Sequence, residues 1–600
     1  MAGAARDGGA AIRLTDLGVM VNAAEARGAA ITVDSARGAR LVVCSRGWAL
    51  VADPDTGAST QLELPDDSFP FACLATSDAT VVTGGASWVC EIDPIRLTVR
   101  HVQLCPDEEI TGFAWADDGH GGVWLTTYPS CLLLRWDRAS DTVSDPVPLH
   151  PTEQYAGHLA VDDDGWVYVG IGTTRRILVS FDPATGELTT LAERGATGCG
   201  QIRRGRDGQV YGHVDADEIH PDPQQPAHWL RLHRGTATPV PTAAPSSFHG
   251  RGFARIHEPV AAPWQVIELD LPEHRLRTTA RPQPITLAYD SAGAELSPLV
   301  TGPTGRIHGT SNHPLQLFDV TSDGEATVYG LAPVAEAGGN ICAWARWRRV
   351  LVGVAYAGGH LYVLDPAAPV QAGVNPVHLT KFDQIHRPRC VLVHGDTAIW
   401  GGYGPYGSDG GGLALTDLVT GRSRILEHDA VVPHQATTTL AMVGETMLLG
   451  ATSVETPGGA TRFANDAVVY LLDVAAARVT HTGVPVPGVA TWSAAASGAD
   501  GLVRLVSAEG LCVFVDPGSL EAVGPVQRLD LGPAAYGSGI TTDEALLVVH
   551  RDGVARSGLQ DNTIEVVYRS DRPLTAGGAV VGDRLYVASG SHLLELSGVC

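Results

Sequence analysis

Apolar and polar residues alternate along this chain in short runs, and the runs come in pairs. A strand-like run ends in Asp, a tight Pro/Gly turn follows, and a second run returns. The clearest case is Ile177-Leu-Val-Ser-Phe-Asp-Pro-Ala-Thr-Gly-Glu-Leu188. Related forms are Ala49-Leu-Val-Ala-Asp-Pro-Asp-Thr-Gly57, Val89-Cys-Glu-Ile-Asp-Pro94, Leu361-Tyr-Val-Leu-Asp-Pro366 and Val513-Phe-Val-Asp-Pro517. Versions without proline end at Asp137, Asp270, Asp319, Asp417 and Asp473. In such turns Asp bonds nearby backbone, Pro presets φ, and Gly takes the left-handed site. Period-2 alternation over about five residues predicts antiparallel strands that bury a face only by packing sheet on sheet. Long helical periodicity is absent.

The hairpins recur at a near-constant interval. Asp53 to Asp93 spans 40 residues, and the next steps, to Asp137 and Asp182, are 44 and 45. Asp182 to Asp270 is 88, with a degenerate unit, His228-Trp-Leu-Arg-Leu232, inside the gap. Continued to the C-terminus, the series gives thirteen units of roughly 40–50 residues, the period of a four-stranded propeller blade. A single propeller holds about 4–8 blades. The expectation is therefore an all-β chain of two β-propellers, seven blades plus six or seven. Residues 20–333 would form the first ring and 334–600 the second, with the boundary near Gly330–Gly338. The last unit, through Arg584 and His592–Leu596, lacks an outer strand, whereas Ile12–Val19 is a strand without a sheet. Pairing residues 11–19 into the last sheet would cover an open edge.

Composition narrows the partners. A net charge of −25 with no basic stripe argues against nucleic acid or an anionic membrane. Seventy Gly and 38 Pro fit a turn-dense β chain, because strands interleave with them throughout. No apolar leader and no run of about 20 apolar residues is present, so the expected location is cytoplasmic. Ten cysteines include no C-x-x-C, and Cys44, Cys90 and Cys512 fall within strand patterns as small buried hydrophobes.

The segment Val167-Tyr-Val-Gly-Ile-Gly172, followed by Leu178-Val-Ser-Phe-Asp-Pro-Ala-Thr-Gly186, resembles the broad quinoprotein-like and YVTN-type propeller superfamily. The resemblance covers nearly the whole chain and implies the tandem propeller fold. It does not extend to narrower groups. Trp136-Asp137 is the single Trp-Asp pair at a strand end, Asp-boxes are missing, and Leu188 stands where a quinone-binding propeller carries Trp. No cofactor is implied. Similar propellers include lyases, glycosidases, lactonases and scaffolds, so the fold does not choose a function.

In a propeller blade the turn between strands two and three shares a face with the link into the next blade. Residues at these places are polar and aromatic here. The first half brings Tyr128, Tyr155 and His158 to such positions, and a cognate turn, His308-Gly-Thr-Ser-Asn-His-Pro314. The second half carries Asn340, His386, Arg387, His434 and Gln435 on the inbound links, with Tyr356, Tyr403 and Tyr406 on the turns. His386, His434, Tyr403 and Tyr356 are the candidate acid–base groups. Arg387 suits a carboxylate; Asn340 and Gln435 suit hydroxyls; Tyr406, Tyr128, Tyr155 and His158 suit ligand contact.

Other motifs are weaker. His213-Val-Asp-Ala-Asp-Glu-Ile-His220, extended by Asp222, His228 and His233, mixes His and carboxylates, but Pro221, Pro223 and Pro226 mark it as a solvated loop, and no metal site is assigned. G-x-S-x-G, H-E-x-x-H and Walker sequences are absent. Three classes of function fit. One is a carbohydrate-active enzyme, a lyase or hydrolase of oligosaccharides working at a channel mouth. Another is a non-catalytic propeller scaffold that binds a protein or peptide. Tailoring of a small natural product is a third.

Overall fold

The Asp-ended turns fold as their chemistry requires. A computed structural model of the chain describes residues 12–24, 26–104, 108–215, 227–251 and 254–599. In the turn after Phe181, Asp182 Oδ1 accepts from Ala184 N (2.9 Å), Thr185 Oγ1 donates to Asp182 Oδ2 (2.9 Å), and Gly186 N closes on Asp182 O (2.8 Å). Gly186 sits at φ +76°, which a residue with a Cβ resists. The turn after Asp417 repeats this, with Val419 N and Thr420 N on Asp417 Oδ1 and Gly421 N on Asp417 O.

The chain is essentially all-β, built from separate antiparallel sheets, mostly of four or five strands, that follow one another as blade-like units. Two compact bodies divide it, residues 23–291 and residues 1–22 with 292–600. The expected boundary at 333/334 lies inside the second body, at the 3-10 turn Ala332–Val334. The strands between Val300 and Gly330, expected in the first ring, therefore belong with the C-terminal body. Periodicity counts repeats, but like repeats carry no mark of which group they join.

In the body 23–291, sheets span 26–63, 73–103, 110–148, 155–199, 201–239 and 266–286. The strand Ala254–His257 pairs parallel with Ala26–Asp34, tying the late part of this body to its first sheet.

In the other body, blade-like units span 300–330, 341–381, 387–426, 436–483, 492–528, 534–569 and 576–597. Their first strands adjoin in order, from Ile341–Trp347 through Arg387–His394, Ala436–Val443, Trp492–Ser497 and Ala534–Thr541 to Ala576–Val581, which adjoins Val300–Thr301. Arg346 Nε donates to Thr301 O (2.8 Å) and Trp344 Nε1 to Pro298 O (3.1 Å), linking the units 300–330 and 341–381. Arg13–Val19 pairs antiparallel with His592–Ser597, from Arg13↔Ser597 to Val19↔His592.

The cores lie between neighbouring sheets. Leu449, Val469, Trp492, Leu505 and Val515 form one such layer. Inner strands such as Val503–Ser507 are buried on both faces, while outermost strands such as Glu521–Arg528 are largely exposed. That gradient is what sheets packed face to face produce.

Candidate functional site

A cavity of about 380 Å³ opens in the C-terminal body where inbound links and strand-two turns meet. Asn340, Arg387, Arg389, Tyr536 and Thr575 come from the starts of inner strands or the links into them; Asn312, His313 and Tyr356 follow second strands. Glu295, Leu296 and Ser297 complete the lining. Leu296 is the single aliphatic side chain in this set, so the wall is built for a polar occupant.

Local backbone bonds fix these groups. Tyr356 N donates to Asn340 O and Gly339 N to Tyr356 O, both at 2.9 Å. Glycine is required at 339, because a Cβ there would lie 2.2 Å from the Tyr356 ring. Arg387 begins the strand Arg387–His394, opposite Tyr403 in the ladder.

Both arginines are held by aromatic faces. The Arg387 guanidinium lies 4.2 Å from the Tyr406 centroid and 5.6 Å from that of Tyr356. The Arg389 guanidinium lies 4.9 Å from the Tyr536 ring and 5.2 Å from that of Tyr403. Tyrosine faces attract the cation and leave its in-plane N–H edges for hydrogen bonds. Arg387, 8% exposed, donates to Gly404 O at 3.4 Å. Arg389 Nη1 donates to Pro388 O and Tyr536 Oη, both at 3.0 Å. Among the described residues neither forms an ion pair with a carboxylate. Burial opposes the charge on Arg389, but the surrounding Tyr536, Cys342, Tyr403 and Tyr356 hold its pKa above the ordinary value. Burial pushes the Tyr403 and Tyr536 phenols up, so both stay neutral.

The sequence candidates divide accordingly. Asn340, Tyr356 and Arg387 line the cavity. His386 packs edge-on against Tyr356 (5.6 Å) and Tyr406 (5.7 Å), and Tyr406 Oη is 3.3 Å from Tyr356 Oη. Tyr403 sits behind Arg389. His434 and Gln435 do not line the cavity. His434 is exposed at φ +61° and bonds Asp409 through Nδ1. Gln435 spends its amide on the fold: Nε2 donates to Asp466 O (3.0 Å), and Oε1 accepts from Val468 N (3.0 Å) and Thr452 Oγ1. Arg389 and Tyr536 were absent from the candidates. Arg389 had a signal, since it stands two residues from Arg387 on the same strand. Tyr536 had none, because its unit lacks the Asp-Pro turn.

The other body gathers Tyr128, Tyr155 and His158 differently. Tyr128 and Tyr155 stack at 4.9 Å, with Phe113 5.7 Å from Tyr155. His158 is buried 3.4 Å from the Arg255 guanidinium. Burial, then Arg255 and His213, hold its pKa well below the usual histidine value, so it is a neutral imidazole at pH 7.

Of the His/carboxylate segment, Asp217, Glu218, His220 and Asp222 lie outside the described residues. His213 packs edge-on against Trp229 at 4.4 Å, and Asp215 accepts from Arg194 and His228. Among the described residues no group of three or more His, Cys, Asp or Glu is placed to hold a metal ion. Nor is any helix among them long and apolar enough to cross a membrane.

No protein-family model and no curated protein matches the chain. Solved structures resemble it at a distance. A structure described as the extracellular domain of a one-component system, BT4673, from B. thetaiotaomicron is 10% identical, with TM-score 0.37, over 98% of this chain and 82% of that one. A streptogramin B lyase is 12% identical, with TM-score 0.30, over 59% of this chain and 94% of its own. The Dos1 propeller is 12% identical, with TM-score 0.38, over 56% and 88%. These likenesses assign the chain to no characterised family. One expectation is corrected: three of the similar structures are described as extracellular domains, so the cytoplasmic location is withdrawn.

Proposed function

We propose that the protein is a ligand-binding β-propeller whose C-terminal ring holds a small polar molecule without transforming it. In this reading the seven blade-like units of the body 12–22 and 292–599 close into one ring, with Arg13–Val19 as the outer strand of its last blade. The units of 23–291 form a second ring. The succession of adjoining inner strands, returning from Ala576–Val581 to Val300–Thr301, supports the closure.

The observation that carries the reading is the convergence of Asn312, Asn340, Tyr356, Arg387, Arg389 and Tyr536, from separate units, on one cavity. A non-catalytic role is favoured over a lyase or hydrolase by the fate of two of the four acid–base candidates; Tyr356 lines the cavity and His386 packs against it. His434 is engaged with Asp409 away from the cavity, and Tyr403 is buried behind Arg389 as a neutral phenol. A base needs a pKa near the working pH, whereas burial moves Tyr403 and Tyr536 in the opposite direction.

The test is a metabolite panel read by thermal shift on the full chain, followed by mass spectrometry of whatever binds. Recovery of the ligand unchanged, with binding lost in Asn340→Ala or Tyr356→Ala, is the expected result. Turnover of the ligand, or binding untouched by both substitutions, would overturn the reading.

A further inference from the structure

We infer that the ligand is a small organic oxyanion, with Arg387 and Arg389 acting together as its counter-charge. The inference rests on the reading of this cavity as the binding site.

A buried guanidinium is costly to keep without an anion, and folded chains normally supply one. This chain does so elsewhere. Arg138 is buried against Asp78 and Glu91, Arg504 against Asp500, and Arg306 pairs with Asp319. At Arg387 and Arg389 the protein instead supplies tyrosine rings: Tyr356 and Tyr406 for one, Tyr403 and Tyr536 for the other. The rings stabilise charge through the guanidinium faces and leave donors at the edges. The two residues lie on one strand and line one cavity. A planar fork of N–H donors matches a carboxylate or phosphate oxygen pair. Asn312, Asn340, Ser297 and Thr575 line the same wall and suit hydroxyl or carbonyl groups on the rest of such a molecule. The one carboxylate in the lining, Glu295, is on an exposed residue, where water weakens its repulsion of an anion without abolishing it.

The test is isothermal titration of the full chain with a matched series: succinate, glycerol 3-phosphate, 1,4-butanediol and 1,4-diaminobutane. Succinate or glycerol 3-phosphate should bind, more weakly as salt rises, and the diol and diamine should not. Which of the two anions binds more tightly separates a carboxylate ligand from a phosphate ester. Arg387→Gln and Arg389→Gln should each weaken anion binding roughly tenfold or more, the cost of a lost charged hydrogen bond. Because Arg387 is buried and Arg389 half-buried, an exposed variant provides a second readout: Glu295→Gln should tighten anion binding. Equal binding of the diol or diamine would overturn the oxyanion assignment and leave the cavity as a binding site. So would anion affinity unchanged in both arginine variants, or weakened by Glu295→Gln. Binding by no member of the series or of the wider panel would remove both readings.

Discussion

The guanidinium of Arg387 lies 4.2 Å from the centre of the Tyr406 ring, and the Tyr406 hydroxyl lies 3.3 Å from that of Tyr356. One tyrosine thus carries the charge on its face and braces its neighbour with its edge. Tyr406→Leu should weaken binding of an anionic ligand about fivefold, the scale of a partly desolvated cation–π contact. Tyr406→Phe keeps the face and should stay within about twofold of the parent. Titration of both variants against one anion checks the difference; equal losses would mean that the hydroxyl, not the ring, matters.

A second arginine shows what a purely structural guanidinium looks like. Arg504 is 1% exposed and fully engaged. It donates to Gly558 O (2.9 Å), Asp561 O (2.8 Å) and Leu502 O (3.0 Å), and pairs with Asp500. The bonds to Gly558 and Asp561 tie the sheet 492–528 to the end of the strand Gly553–Gly558 and the turn that follows it. Arg504→Met would strand two carbonyls of that neighbouring segment and should cost about 3 kcal/mol in urea unfolding. Arg504→Lys should recover little, because a single ammonium cannot span three acceptors and a carboxylate.

The contrast explains what could be read from the chain. Turns such as Asp182–Gly186 are local, so their residues announce them, and the repeat spacing followed. The grouping of repeats is not local. The unit 300–330 looks like its neighbours in sequence, yet it belongs with the C-terminal body. The shared placement of Arg387, Asn340 and Tyr356 along one cavity was legible because position within a repeat dictates which end of the sheet a residue occupies. Gln435 stands at an equivalent position, but its amide is consumed by Asp466, Val468 and Thr452, and nothing in the spelling distinguishes it. Tyr536 matters through Arg389, a partner 147 residues away in the chain.

The seam between Arg13–Val19 and His592–Ser597 has a measurable consequence. Leu14 packs on the core formed by Leu585, Val587, Leu594 and Leu596. Asp16 accepts from Gly18 N (2.8 Å), His592 Nδ1 (3.0 Å) and Arg572 Nη2 (2.9 Å). Deleting residues 1–20 would expose the edge of the last sheet and part of that core, and should lower the melting temperature by about 5 °C or more. Asp16→Asn should reproduce part of the loss at neutral pH. Burial raises the Asp16 pKa, but the bonds from Gly18, His592 and Arg572 outweigh it and bring it from 3.8 to about 2. The stabilisation from Asp16 is therefore complete above its unfolded pKa and disappears as pH falls from near 4 to 2. An unchanged melting temperature in the deletion would mean that the seam contributes nothing.

His257 sets a different pH dependence in the body 23–291. Its Nδ1 accepts from Ala75 N at 3.0 Å, which fixes a neutral tautomer, and burial pulls its pKa from 6.5 to about 4. His213 in the same body is likewise lowered by burial to about 4, against the opposing pull of Asp215. In the unfolded chain both take a proton near pH 6.5. Between pH 6.5 and 4 the unfolded state binds more protons than the folded one, so stability is full above 6.5 and falls as the solution is acidified toward 4. One fully buried histidine accounts for roughly 3 kcal/mol across that window. His257→Asn can still accept from Ala75 N but does not titrate, so its urea midpoint should decline less steeply between pH 7.5 and 4.5 than that of the parent. Superimposable slopes would show that His257 takes its proton in the folded state, and that the buried hydrogen bond from Ala75 does not hold it neutral.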